Sequence, residues 1–222
     1  MKLIRKVAPM LHYLAMLTML IDHVGVVFFP EENLYRVIGR CAFPLYSWLL
    51  VQGYVHTRSR KKYAIRLLIL ACVSQLPFML ALNTGQLNVI FTLLLALIYL
   101  YVQDLRIQPL FKGLLAAAIL LASILIPMDY GIYGIVLVLI YRYTSTQPWS
   151  LLGYHVLLNL LIWSLDFTHN YLQMFSLLGS GLIVWHTQMK RPALPHPLFK
   201  WVYRTFYPVH LLALYLLTLL LS

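Results

Sequence analysis

Long apolar runs and short polar breaks alternate from one end of the chain to the other. A bilayer crossing takes about 20 apolar residues, so each run is predicted to be a transmembrane helix. The first covers 9–29 and stops at Pro30-Glu31-Glu32-Asn33. The second covers 34–56 and is followed by Arg58-Ser59-Arg60-Lys61-Lys62. The others fall at 63–82, 87–103, 109–127, 131–143, 149–165, 171–187 and 199–221. The predicted fold is all-α: a polytopic transmembrane helix bundle of about nine spans, one domain over 1–222. The first run is expected to be a retained helix and not a cleaved signal, because it is long enough to span and contains Asp22 and His23. No internal repeat points to an inverted-repeat transporter.

Composition agrees. Of 222 residues, 62% are hydrophobic and 10% charged, against about 45–50% and 25% in soluble domains. That excludes a soluble globular domain, a disordered chain and a coiled coil. The two cysteines, Cys41 and Cys72, lie in apolar runs and read as small buried hydrophobes. Many of the 16 tyrosines fall near predicted span ends (Tyr63, Tyr99, Tyr101, Tyr130, Tyr133, Tyr171), as an aromatic belt would place them.

The charge then orients the bundle. The net charge is +11, from 17 Lys and Arg against 6 Asp and Glu. In a soluble protein this would suggest nucleic acid. In a membrane protein it reports which loops face the cytoplasm. With Lys2, Arg5 and Lys6 inside, the even-numbered spans return the chain to the cytoplasm. Arg58, Arg60, Lys61, Lys62, Arg66, Arg106, Lys112, Arg142, Lys190, Arg191, Lys200 and Arg204 then all lie on that side, 15 of the 17 basic residues. Glu31, Glu32, Asp129 and Asp166 fall in outer loops. The N-terminus is expected in the cytoplasm, the C-terminus in the periplasm, and the protein in a bacterial inner membrane.

Arg36 and Arg40 are the two exceptions. Both lie early in the second run, where a charge costs several kcal/mol unless it faces inward and finds a partner. Asp22 and His23 sit ~10 Å below the same outer boundary on the first run. A short loop makes these runs antiparallel neighbours. Adjacent residues on a helix diverge by about 100°, so Asp22 is expected to pair with Arg36 or Arg40. His23 is then left for proton chemistry. An internal ion pair joining two helices is the plainer reading of the same charges.

Other polar groups interrupt apolar runs: Gln52, Ser74, Gln75, Asn88 and Thr92. They are expected either to hydrogen-bond between helices or to line a polar cavity around His23. His210 lies near mid-membrane beside Tyr207 and Pro208, and a bond from His210 to a freed carbonyl is the plain alternative to a reactive role. His12, His56, His155, His169, His186 and His196 are read as interfacial. No metal-binding spacing appears, so no metal is expected.

Several of these stretches resemble the TraX family. Ile21-Asp22-His23-Val24-Gly25 through Pro30 carries the likeness first. Arg36-Val-Ile-Gly-Arg40-Cys-Ala-Phe43-Pro44 follows, continuing to Gly53, Thr57 and the basic loop. Ser74-Gln75-Leu76-Pro77-Phe78, Asn88-Val89-Ile90-Phe91-Thr92-Leu93, Tyr130-Gly131-Ile-Tyr133-Gly134 and Phe206-Tyr207-Pro208-Val209-His210-Leu211 complete it in order.

That family is similar to multi-spanning membrane acyltransferases, and its namesake acetylates the amino terminus of the conjugative pilin of F-type plasmids. The resemblance implies an acetyl-CoA-dependent acetyltransferase with a pilin, or another acetyl acceptor, as partner. His23 is the expected base, with His210 as the alternative, and a covalent acetyl-histidine remains open. Asp22 would orient Arg36 and Arg40. Arg40, Asn88 and Gln75 are candidate oxyanion donors, and Thr92 and Tyr207 candidate substrate contacts. Arg58, Arg60, Lys61 and Lys62 are candidates for the nucleotide phosphates of acetyl-CoA, with Lys190 and Arg191 second. The rival readings are a glycan or lipid O-acetyltransferase, a non-catalytic pilus-assembly protein, and a small transporter.

Overall fold

A computed structural model describes residues 9–165, 171–189 and 197–221. Lys2, Arg5, Lys6, Asp166, His169, Lys190, Arg191 and His196 lie outside the described residues. The chain forms α1 (Pro9–Phe28), α2 (Asn33–Gly39), α3 (Ala42–His56), α4 (Arg60–Leu82), α5 (Val89–Gln103), α6 (Pro109–Leu125), α7 (Gly131–Thr144), α8 (Pro148–Leu165), α9 (Ser176–Gln188) and α10 (Pro197–Leu221). A 3₁₀ turn at Tyr171–Phe175 precedes α9. The described residues form no strand, and one isolated bridge, Leu87 to Met128, ties two loops. In lipid the backbone must satisfy itself, and helices do so locally. The polar breaks supply the ends. Asn88 accepts from the Ile90 N–H at 3.0 Å, and Ser59 accepts from the Lys62 N–H at 3.3 Å, both as N-caps.

Four helices are long and apolar enough to cross a membrane: Met10–Phe28, Arg60–Leu82, Pro148–Leu165 and Val202–Leu221. The chain is a membrane protein. Val89–Gln103, Pro109–Leu125 and Gly131–Thr144 are shorter apolar helices.

The second predicted run is not one helix. It breaks between α2 and α3, where the Cys41 N–H turns tightly onto the Ile38 carbonyl at 3.1 Å. Pro44 explains the break. It has no N–H to give the Arg40 carbonyl four residues back, and its ring clashes with that carbonyl. The break falls on Arg40 itself.

α3 is the centre of the bundle. Leu45, Trp48, Leu50, Val51 and Tyr54 are all buried, together with Ser47 and Gln52. A helix apolar on every side belongs inside. It packs against α1, α5, α7 and α9. A second cluster joins α1, α4, α5 and α10 through Met19, Ala71, Phe78, Ile90, Tyr207 and Leu211.

Two glycines let α1 and α2 approach closely. A Cβ at Gly25 would lie 2.2 Å from the Tyr35 Cβ, and one at Gly39 would lie 2.0 Å from Asp22 Oδ1. Small residues at such crossings are how membrane helices gain packing. Gly39→Ala is expected to destabilise the protein by about 1–3 kcal/mol through overpacking, read as a lower thermal midpoint in detergent. Gly113→Ala, where nothing lies within 4 Å, should leave that midpoint unchanged or slightly raised.

Candidate functional site

A cavity of about 220 Å³ opens where α1, α2 and α3 meet the loops after α4 and α6. Asp22, His23, Arg36, Arg40, Asp129 and Tyr130 all line it. The divergence of adjacent side chains on α1 is the organising fact. Asp22 turns to α2 and accepts from Arg36 Nη1 at 2.8 Å. His23 turns the other way, to α10.

His23 Nδ1 lies 2.8 Å from His210 Nε2, and both residues are buried. His210 Nδ1 lies 2.7 Å from the Phe206 carbonyl oxygen. A carbonyl only accepts, so the neutral His210 carries its proton on Nδ1. Its Nε2 must therefore accept, and His23 Nδ1–H donates to it. His23 Nε2 is left as a bare lone pair on a side chain that lines the cavity, with no hydrogen-bond partner among the described residues. Two hydrogen bonds thus assign the tautomer of an imidazole on the cavity wall.

Arg40 does not pair with Asp22. Its Nη1 donates to the Tyr130 hydroxyl and to Gln173 Oε1, each at 3.3 Å. Its buried Nε has no partner among the described residues. Tyr130 stacks on Phe43 with ring centroids 3.8 Å apart. It sits in the left-handed region (φ 66°) ahead of α7, an uncommon placement for a residue with a bulky side chain. Asp129, in the loop just before it, carries a carboxyl that burial pushes up to about 6, against the lowering effect of nearby Arg40.

The remaining predicted site residues have other work. Asn88 spends both amide hydrogens, on the Ala71 carbonyl at 2.8 Å and Gln75 Oε1 at 2.9 Å. Gln75 also donates to the Gln86 carbonyl at 2.8 Å. Together they clasp α4 to α5, and Asn88 has no N–H left for an oxyanion. Thr92 is fully buried and donates to the Asp129 carbonyl. Tyr207 packs edge-on to His23 and His210. The basic loop lies at the other end of the bundle, about 22 Å from Gln75 by the rise of α4. There Arg60 pairs with Asp104 at 3.0 Å and stacks over Tyr54, while Arg58, Lys61 and Lys62 are exposed.

A second polar cluster corrects the sequence reading. His155 is not interfacial: it is fully buried. Its Nδ1 lies 2.6 Å from Ser180 Oγ, and its Nε2 lies 3.0 Å from the Tyr133 hydroxyl and 3.1 Å from Ser176 Oγ. Tyr133 donates to Asn159. The network joins α7, α8 and α9, so Tyr133 is not a belt residue either. Cys41 is buried, but Cys72 is exposed. Among the described residues no group of three His, Cys, Asp or Glu is placed to hold a metal ion.

Sequence reasoning passed over Asp129, Tyr130 and Gln173 as partners of the cavity. Asp129 and Tyr130 had a signal, a polar–aromatic pair directly before Gly131, but an outer loop and an aromatic belt accounted for them first. Gln173 carried none.

The family model described as TraX protein matches residues 8–218. The chain is also 32% identical over 149 residues to the "Probable fimbrial assembly protein FimC, serogroup H1" of Dichelobacter nodosus, covering 59% of each chain. It therefore spans about three-fifths of that relative's length. No solved structure matches.

The Asp22–Arg36 pair is half-buried, so removing one partner strands the other charge. Arg36→Ala should lower the thermal midpoint, and adding Asp22→Asn should recover part of the loss. The coupling expected from the double-mutant cycle is about 0.5–3 kcal/mol. Strict additivity in detergent melts would dissolve the pair.

Proposed function

The chain belongs to the TraX family, and on that premise we propose that it is a multi-pass inner-membrane acetyltransferase. Nine crossings take the N-terminus to the cytoplasm and the C-terminus to the periplasm. The donor is acetyl-CoA. The acceptor, at the outer half of the membrane, is the N-terminal amine of a pilin or similar pilus subunit. The histidine pair carries this reading: a buried imidazole held in one tautomer, its Nε2 unpartnered among the described residues, on the wall of a cavity that Arg40 also lines. The fimbrial-assembly name of the relative supports the pilus side.

An α-amine has a pKa of about 7.7–8.0 and reaches the site mostly protonated. The Asp129 carboxylate holds the ammonium form in the cavity. The ammonium gives its first proton to water, and the neutral amine nitrogen then bonds to the thioester carbonyl carbon as His23 Nε2 removes a second. His210 Nε2 keeps its bond to His23 Nδ1–H throughout and so supports the imidazolium. The carbonyl oxygen becomes an oxyanion, which the unspent Arg40 Nε–H meets. The C–S bond then breaks, the His23 proton passes to the departing thiolate, and amide and free thiol result.

His23→Ala is expected to cut transfer of labelled acetyl groups from acetyl-CoA by about 10²–10⁴-fold, with the protein still inserted and folded. His210→Ala should cost less, because it removes the orienter and not the base. Undiminished transfer in His23→Ala would remove His23 as the base, whereas a wild-type protein that binds pilin and transfers no label would favour the second reading that the relative's name raises, a non-catalytic assembly factor. Label on a glycan or lipid would make the enzyme an O-acetyltransferase.

Asp129 is charged above about 6 and neutral below it. As pH falls through that value the ammonium loses its counter-charge, and the acceptor KM should rise. Asp129→Asn should raise the KM at neutral pH and flatten the acid limb.

A further inference from the structure

A larger chamber of about 720 Å³ lies between α1, α4, α5 and α10. Met19, Tyr46 and Val89 line both this chamber and the His23 cavity, so one begins where the other ends. Its walls are mostly apolar, with Leu67, Leu70, Val73 and Ile90 among them. Its charged groups are two arginines, Arg66 on α4 and Arg204 on α10. Both are exposed. Arg66 lies over the Tyr63 ring at 5.7 Å, and neither arginine meets a carboxylate among the described residues.

Arg204 precedes His210 by six residues on the same helix, about 9 Å along its axis. The guanidinium groups therefore mark the basic end of the bundle and His23 the far end. Near the far end stands Tyr207, 6% exposed, its buried oxygen close to the Val89 N–H and its own O–H given to no acceptor. A buried polar group left unpaired is costly and asks for a partner.

The geometry points to this chamber as the donor site, an inference that rests on the acetyl-transfer reading above. Arg66 and Arg204 hold the phosphate groups of an acyl-CoA at the basic end. Its arm runs through the apolar chamber, and the thioester passes Tyr207 to reach His23. The Tyr207 hydroxyl donates to a carbonyl on the arm. Guanidinium groups suit phosphate by their fork of N–H donors, and a slot for a lipid tail alone would need neither them nor a buried unspent hydroxyl. This replaces the loop expected from sequence. Arg60 is held by Asp104, and none of Arg58, Lys61 and Lys62 lines the chamber or the cavity.

The test is equilibrium binding of radiolabelled coenzyme A to the purified full-length chain in detergent. Wild type is compared with Arg66→Ala/Arg204→Ala and with Arg58→Ala/Lys61→Ala/Lys62→Ala, with gel filtration to confirm folding. The arginine pair should weaken binding at least about tenfold, the change that removal of a charge-assisted phosphate contact makes. An unchanged affinity there, or the larger loss in the loop variant, overturns the assignment.

Should the arginine variant fail to fold, wild type decides. A CoA thioester bearing a benzophenone acyl group should crosslink to Met19, Tyr46, Val89 or Tyr207, at the His23 end of the chamber. Crosslinks confined elsewhere, or a co-purified phospholipid in the chamber that CoA does not displace, overturn it. The parent reading fails separately, when membranes transfer no label from acetyl-CoA. Transfer with the arginine pair dispensable defeats the chamber alone.

Discussion

Charge placed among apolar helices has to be answered by charge or by hydrogen bonds, and the Asp22–Arg36 contact is where this chain answers it. The pair joins α1 to α2 at 2.8 Å. It forms only because Gly39 has no side chain where the Asp22 carboxyl lies. The crossing of α1 and α2 and the wall of the cavity between them both follow from that one contact. A larger residue at Gly39 would push the carboxylate away from the guanidinium and open the cavity wall.

The contact also divides labour between neighbours. Because Asp22 is committed to α2, His23 is turned to α10, where His210 meets it at 2.8 Å. The Phe206 carbonyl holds the His210 tautomer, and His210 holds that of His23. Each link is a single side-chain hydrogen bond. A chain of this kind fixes a tautomer by hydrogen bonds that need no carboxylate on the imidazole, which suits a site enclosed by apolar helices.

Much of this was legible in the sequence because lipid simplifies the code. Apolar runs must be helices, so the helical segments could be read directly, and a charge inside a run must have a partner, so Asp22, Arg36 and Arg40 could be grouped. The TraX likeness rested on the same stretches and agrees with the family match over residues 8–218. Three features were not legible. Periodicity does not say which face of a buried helix meets which neighbour, so His155 and Tyr133 read as interfacial while they bond across α7, α8 and α9. A basic loop and a basic chamber mouth look alike in sequence, so Arg66 and Arg204 dissolved into the positive-inside signal. The break in the second run was hidden because Pro44 is tolerated in the first turn of a helix as readily as it ends one.

That last point extends to the other prolines. A proline inside a helix leaves the carbonyl four residues back without its N–H donor. Pro44 does this to Arg40, Pro77 to Val73 and Pro208 to Arg204. Arg40 lines the His23 cavity, and Val73 and Arg204 line the chamber below it. In a membrane an unanswered carbonyl is tolerated where it borders a cavity rather than lipid. The three prolines therefore lie where the bundle keeps its internal space, each freeing backbone polarity on a residue beside the proposed route from donor to base. A helix lattice satisfied everywhere would have been more stable and would have had no polar lining to offer a thioester on its way to His23.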